Sequence, residues 1–501
     1  MKLYKIAILL QLTFYGMAFS QTLETQFNDI ASNHEMIGGS LVVFCKDGII
    51  ENLSYGKADY NRNIPVTNQT KYRIASISKT ITAIAIMQLV EQNLLSLDDD
   101  IGSILNYEVK NPNYPNTAIN VRMLLSHTSS IIDGSTYSSF MQATVNNNPI
   151  PDLSEIISPG GSYYTIGQFT NTVPGTYFNY SNLNYVILGT IVEKISGQRF
   201  DIYCKQNICE PLNIDASFNV NDLTDINQLA VLYRKIYGVW TPQADNFQGI
   251  QPVFTNLEGY IPGTNGGRFA PQGGFRCSAE DLAKIFITLL NKGSYNEVRI
   301  LSEETCSEMF TSQWNYNGTN GNNYYGLFRN WGLGVHITTS TSGGDIVLAS
   351  STSMFGHPGE AYGLVSDAYI DTLRQIGFIF ITNGVGTGYQ TNNYSAFYTV
   401  EQDVFDAVEN FSNFSVCNTI DLNLSTKTYT EIFPNPFDQI LFIISANVEK
   451  IRIYDLTGKM IYENNSPEKF TSIDIQNFKP SFYFIEIKTN NTNQITKIVK
   501  L

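Results

Sequence analysis

A chain of 501 residues with 43% hydrophobic and 13% aromatic content can bury a large core and more than one domain. Its formal net charge is −14, with no Lys/Arg cluster to override it, so the surface repels phosphate backbones and nucleic-acid binding is disfavoured. The four histidines are scattered with no H-E-x-x-H, and no G-x-S-x-G elbow or glycine-rich phosphate loop occurs; zinc-hydrolase, α/β-hydrolase and nucleotide-binding readings therefore lack support, and no metal or cofactor is expected.

The chain starts with Lys2 and Lys5, an apolar run from Ile6, and small residues at Ala18 and Ser20. That pattern predicts a secretory signal over 1–20, cleaved after Ser20. The run is shorter than the ~20 residues a bilayer span needs, and no later segment supplies one, so an exported protein without a transmembrane anchor is expected. Residues 22–35 read as an amphipathic helix, and the alternating stretch around Lys46-Asp47-Gly48 as a hairpin. An apolar helix follows Ser76. Two more helices lie near "VRMLLSH" and "NLNYVILGTIVEKISG"; the second has apolar Leu183, Val186, Ile187, Ile191 and Ile195, with Gly197 where a helix stop belongs. "SAEDLAKIFITLLNKG" is a further helix, N-capped by Ser278 with Asp281 at its third position.

Strand patterns return at "WGLGVHI", "DIVLAS" and "IGFIFITNG". Strands at both ends with helices between predict an α+β fold, in which one sheet is built from the two chain ends around an inserted helical lobe. From about 412 the chain turns polar and unpatterned, giving a linker over 413–430. Short alternating strands over 431–501, with a Thr457-Gly458 turn, make a small β-domain. Among Cys45, Cys204, Cys209, Cys277, Cys306 and Cys417, proximity favours the pairs Cys204–Cys209 and Cys277–Cys306, with free buried thiols as the alternative.

The segment "RIASISKTITAIAIMQLVEQ" carries no charge from Thr80 to Val90, yet Lys79 stands at its head, three residues after Ser76. That spacing puts both side chains on one helix face. A buried lysine must pair or lose its proton, and a neutral amine beside a hydroxyl is a general base. The bland alternative is a snorkelling lysine at the end of a core helix. "PGTYFNYSNLNYVILG" places Tyr180 and Asn182 at the approach to a helix, with Ser181 or Asn182 as its N-cap. A lysine cation near Tyr180 would lower the phenol's pKa. In "SMFGHPGEAYG", His357 and Gly359 fall on a strand where glycine admits close approach, whereas His127 in "LLSHTSS" reads as a turn-stabilising residue.

Ser76-Ile-Ser-Lys79, Tyr180-Ser-Asn182 and His357-Pro-Gly359, in this order, resemble the serine β-lactamase and penicillin-binding-protein superfamily, most nearly its class C enzymes, family S12 peptidases and related esterases. "LLSLDDDI", "VRMLLSHTSS" and "PQGGFRCSAEDLAK" support the likeness, which covers about 25–410. The resemblance implies a β-lactamase-like fold over 21–412, Ser76 as the acylated nucleophile, Lys79 and Tyr180 as proton-handling partners, and Asn182 as a ligand of the substrate amide. It places His357 and Gly359 on the strand lining the site, and an oxyanion hole at the backbone N–H groups of Ser76 and Glu360. Such enzymes hydrolyse small-molecule or peptide substrates through an acyl-enzyme, with no cofactor.

This sequence departs from that pattern in two places. His357 stands where dedicated β-lactamases usually carry a lysine, and Ser130 and Glu360 stand where relatives commonly have glycine. A mostly neutral histidine anchors a carboxylate weakly, which favours an esterase or peptidase over a β-lactamase. A D-Ala-type carboxypeptidase or D-aminopeptidase is the enzymatic alternative, and a non-catalytic surface binding protein the alternative of another class. Specificity is expected in the loops around 134–172 and 240–270. The tail, with "IFPNPFDQIL", "IYDLTGK" and "FYFIEI", resembles the sorting domain of the type IX secretion route. That implies the secretion machinery as a partner and a destination outside the cell or on its outer surface.

Overall fold

A computed structural model describes residues 22–254, 257–391, 395–411 and segments of 430–500. The leader at 1–20 and all but the last residue of the linker at 413–430 lie outside the described residues. The chain separates into two units between residues 418 and 419.

The first unit is organised by a nine-stranded antiparallel sheet. Its strands are β1 (Gly38–Cys45), β2 (Gly48–Asp59), β3 (Ile64–Pro65), β4 (Trp314–Asn315), β5 (Asn330–Trp331), β6 (His336–Ile337), β7 (Phe355–Ala361), β8 (Leu364–Asp371) and β9 (Ile376–Thr382). Their spatial order is β4-β5-β6-β7-β8-β9-β1-β2-β3, so the two chain ends meet where β9 pairs with β1. The sheet built from both ends is as the sequence predicted. β1 is buried along its whole length because both faces are covered. Leu41 and Val43 enter a core with helix α1 (Leu23–Asn33) and a helix at Thr399–Glu409, while Val42 and Phe44 enter the core shared with the helical lobe.

Helix α2 (Ser78–Glu91) is buried without a break from Ser78 to Leu89, which is what a helix apolar all round requires. It packs against α3 (Asn182–Ser196), which ends at Gly197 in the left-handed conformation, φ +70°. Helix α4 (Ala279–Leu290) is capped by the Ser278 hydroxyl, which accepts from Asp281 N–H. These elements fall where the sequence puts them.

Two expectations fail. "DIVLAS" forms turns; its apolar residues Val347 and Leu348 are buried in the core under α1, so burial rather than sheet pairing accounts for them. Cys204, Cys209, Cys277 and Cys306 are free buried thiols, and Cys45 is the described cysteine held in a disulfide. Nearness in sequence is no substitute for the Cβ geometry a disulfide needs.

The second unit holds two antiparallel sheets. One comprises Thr430–Phe433, Ile440–Ser445 and Phe470–Asp474; the other comprises Val448–Tyr454, Met460–Asn464, Ser481–Thr489 and Asn493–Lys500. Leu441, Ile443 and Ile473 of the first share a core with Ile451, Ile453, Ile485 and Ile487 of the second. Among the described residues, no helix is long and apolar enough to cross a membrane.

Candidate active site

The segment before α2 is held rigidly. Lys71–Arg73 pairs with Arg276–Ser278, Ile74 N–H donates to the Phe275 carbonyl, and Phe275 N–H donates to the Ser78 hydroxyl. Between them lies one 3₁₀ turn, Ala75–Ile77, with Ala75 at φ +49°. An alanine held there costs on the order of 1–2 kcal/mol, which the surrounding bonds must offset. The turn sets Ser76, half-buried, at the wall of a cavity of about 1040 Å³.

Lys79 has no exposed surface. Its Nζ lies 3.1 Å from Ser76 Oγ, 2.9 Å from Asn182 Oδ1 and 2.8 Å from the Gln272 carbonyl. Burial pulls the amine down to about 7, with the Asp133 carboxylate pulling the other way. The two carbonyl oxygens can only accept, so they fix two N–H bonds of either protonation state. Ser76 Oγ is the one partner that can also donate. A neutral Lys79 therefore keeps both carbonyl bonds and turns its lone pair to the serine proton.

Tyr180 reverses one expectation. Its pKa is raised well above the ordinary phenol value by burial, against a smaller lowering from a hydrogen bond with Ser76. Lys79 Nζ lies over its ring, 4.8 Å from the centroid, a cation–π contact when the amine is protonated. The ring is held by Phe328, stacked at 5.4 Å, and by His127 at 4.4 Å. His127 is buried and accepts Ser181 N–H on Nδ1, so the turn role read from sequence extends to supporting the tyrosine.

Ser181 occupies the N-cap position of α3 but makes no capping bond of its own. Asp133, which sequence reasoning missed, does the work from outside the helix. Its Oδ1 accepts from Leu183 N–H at 2.8 Å and the Ser181 hydroxyl at 3.0 Å, and its Oδ2 from Asn182 Nδ2 at 2.8 Å. Holding the amide nitrogen aims Asn182 Oδ1 at Lys79. Nothing local in "IIDGS" signals this, because the contact spans 49 residues.

His357 is fully buried, and burial, then the Lys79 charge, holds its pKa well below the ordinary value, so it is neutral. Its Nδ1–H donates to the Pro358 carbonyl at 2.6 Å. Gly359 meets its close approach from the protein itself: a Cβ there would lie 2.3 Å from Ser366 Oγ and 2.8 Å from the Ile74 carbonyl, so the glycine lets β7 pack on the Ser76 turn. Pairing of β7 with β6 stops at Gly356, and beyond it the strand packs on the Ala75–Ile77 turn. Glu360 lines the cavity with its carboxylate 2.5 Å from the Tyr398 hydroxyl. Ser130 sits at φ +67°, where a glycine would be unstrained, and its hydroxyl accepts from Asn111 Nδ2 at 2.9 Å.

Of the predicted specificity loops, the first contributes Tyr137 to this cavity and the second, among the described residues, contributes none of its walls; Tyr324, Tyr325 and Phe328, with residues 395–398, supply them instead. Among the described residues no group of His, Cys, Asp and Glu is arranged to hold a metal ion.

Residues 20–400 match the Beta-lactamase family model, well over half of the chain. The chain belongs to the beta-lactamase family. Residues 431–501 match the secretion system C-terminal sorting domain, which directs this beta-lactamase family member to the outer surface or the exterior. "Protein flp" of Staphylococcus aureus (strain MRSA252) is 30% identical over 197 residues, 39% of this chain and 37% of that protein. The chain thus spans under two fifths of that curated relative's length. The octameric penicillin-binding protein homologue from Pyrococcus abyssi superposes with a TM-score of 0.57 at 20% identity, covering 95% of both chains. D-amino acid amidase from Ochrobactrum anthropi SV3 gives 0.55 at 19% identity, covering 80% of this chain and 98% of its own. At such identities these neighbours share the fold.

Proposed function

We propose that this protein is an exported serine hydrolase that cleaves an ester or a peptide-like amide through an acyl-enzyme on Ser76. The observation that carries the reading is the coordination of Lys79: a buried amine pulled to about 7, with two fixed acceptors and its remaining bond on the Ser76 hydroxyl. Neutral Lys79 takes the serine proton as Oγ bonds to the substrate carbonyl carbon and the carbonyl electrons move to oxygen. The backbone N–H groups of Ser76 and Glu360 receive that oxyanion, each contributing about 3 kcal/mol to the barrier. Collapse breaks the bond to the leaving group. The Tyr180 phenol, still protonated, delivers the proton to it, and the Lys79 ammonium restores the phenol. Water then attacks the acyl-enzyme by the same route in reverse.

Asn182 is a ligand for the substrate amide through whatever bonding capacity Lys79 and Asp133 leave, and its first role is to hold Lys79. Neutral His357 supplies no cation for a β-lactam carboxylate, which favours esters and amides over β-lactams. The amidase reading, a D-peptide or D-amino acid amide substrate, is the second choice, and its support is the shared fold with D-amino acid amidase. A fluorophosphonate probe tests the central reading: labelling of Ser76 that disappears in Ser76→Ala is expected, and absent or unchanged labelling contradicts it. Turnover of p-nitrophenyl esters against D-amino acid amides then separates the two substrate classes.

A further inference from the structure

The connection between β4 and β5 runs from 316 to 329 and contributes Tyr324, Tyr325, Leu327 and Phe328 to the cavity of Ser76. None of them is charged; the charged residues that line the cavity come from other segments. The connection is tied to the segment that carries Tyr180. Phe178 N–H donates to the Asn320 carbonyl at 3.0 Å, and Asn322 N–H to the Phe178 carbonyl at 2.9 Å. Tyr180 itself meets this wall through two rings, Phe328 stacked at 5.4 Å and Tyr324 edge-on at 5.8 Å.

Within that wall the backbone is strained. Tyr324, Tyr325 and Gly326 stand in succession at φ +49°, +59° and +101°. Only the glycine takes such a value freely; two bulky residues side by side in the left-handed region persist only where their surroundings hold them. Three bonds do so: Gly326 N–H to the Asn323 carbonyl at 3.1 Å, Leu327 N–H to that of Tyr324 at 3.2 Å, and Phe328 N–H to that of Asn323 at 3.0 Å. Tyr237 is also left-handed and fully exposed, but there a two-residue hairpin between Ile236 and Val239 demands the conformation. The pair that closes the 316–329 connection, Asn315 with Asn330, is too distant to impose it on Tyr324 and Tyr325. The two side chains then part. Tyr324 joins the rings around Tyr180, whereas Tyr325 is 99% exposed on the cavity wall, with no ring partner among the described residues.

We propose that the Tyr324-Tyr325 turn is the leaving-group wall of the Ser76 site, and that the Tyr325 ring stacks on a leaving group that carries an aromatic ring. The inference rests on the hydrolase reading and deepens it by naming a substrate class. In that reading the Tyr180 phenol protonates the leaving group, which therefore departs on the side of Tyr180, where this wall stands. The cavity, of about 1040 Å³, is large enough to hold a ring beyond the cleaved bond. A planar apolar face left in water beside the reacting serine gains from being covered by another ring. The left-handed turn carries the Tyr325 ring out to that position, and Tyr324 fixes the base of the wall against Tyr180.

Two matched ester pairs test it. Benzyl and cyclohexylmethyl butyrate differ in the ring of the leaving group; ethyl phenylacetate and ethyl cyclohexylacetate differ in the same ring on the acyl side. In the unmodified full chain benzyl butyrate is expected to have the higher kcat/KM, mostly through KM. The ratio within that pair is expected to fall about fivefold to tenfold in Tyr325→Ala and Tyr325→Gly, as loss of one aromatic stack predicts, and to persist in Tyr325→Phe. Intrinsic reactivity of the esters cancels in this comparison between variants. The acyl-side ratio should stay the same throughout. Tyr325→Gly relieves the left-handed strain and should melt no lower than the unmodified chain, which separates loss of the stack from loss of the fold. A leaving-group ratio unchanged in Tyr325→Ala, or an equal or larger change in the acyl-side pair, overturns the wall while leaving the hydrolase reading intact. If no ester is turned over, calorimetric titration of the full chain with N-benzylbutyramide and N-(cyclohexylmethyl)butyramide decides the wall: tighter binding of the benzyl amide that is lost in Tyr325→Ala supports it, and equal binding or none overturns it. Failure of a fluorophosphonate to label Ser76 is a separate result, and counts against the hydrolase reading.

Discussion

Ser76 and Glu401 both line the candidate-site cavity; Lys79 is enclosed beside the first and Asp367 beside the second. Burial pushes Lys79 and Glu401 toward their neutral forms, the amine down to about 7 and the Glu401 carboxyl up to about 8. What differs is the company. Lys79 has two carbonyls that hold it and a hydroxyl that can give it a proton. Asp367 faces Glu401 in a side-chain hydrogen bond, and Glu401 accepts Tyr398 N–H at 2.5 Å, so one proton between the two carboxyls is what relieves their repulsion. A perturbed pKa marks both places, but only the first has geometry for passing a proton to a reacting atom.

Substitutions can break that comparison, beginning with the largest effect. Ser76→Ala should reduce hydrolysis to the residual rate given by binding and the oxyanion hole, a loss of about 10⁴-fold or more by steady-state assay. Lys79→Arg keeps the charge but cannot deprotonate, so kcat should drop by about 10³-fold with the fold retained by circular dichroism. Gly359→Ala drives a Cβ into Ser366 Oγ and the Ile74 carbonyl, shifting the Ser76 turn; a loss of about 1–3 kcal/mol in stability and about 10²-fold in kcat is expected from denaturation and kinetics.

Two gentler changes sharpen the contrast. Asp133→Asn removes the charge that raises the Lys79 pKa, so the acid limb of the pH–kcat profile should move to lower pH while its plateau falls about tenfold as Asn182 loses its hold. At the carboxyl pair the sign is opposite. Glu401 has a folded pKa raised from 4.5 to about 8, so the folded state holds the extra proton and stability falls as pH rises through that window. Glu401→Gln should flatten this part of the melting-temperature profile, by roughly a few degrees, with little change in the acid limb of kcat.

Much of this was legible because long periodic segments and local caps are written locally: α2, α3 and its Gly197 stop, and Ser278 at the head of α4 all follow from neighbours in sequence. The meeting of Ser76 with Lys79 follows from helical spacing. What escaped depends on approach in space. Asp133 reaches α3 across 49 residues, and the Tyr180 phenol could not be read correctly without knowing how completely it is buried. The cavity walls at 324–328 and 395–398 come from turns whose placement no pattern encodes.

The most direct test is the pH dependence of Ser76 acylation by a neutral fluorophosphonate, followed in the unmodified full chain. Acylation limited by deprotonation of Lys79 predicts a rate that rises through a single titration with its midpoint near 7 and is lost in Lys79→Arg. A rate independent of pH from about 5 to 9, or one equally fast in Lys79→Arg, would contradict the account.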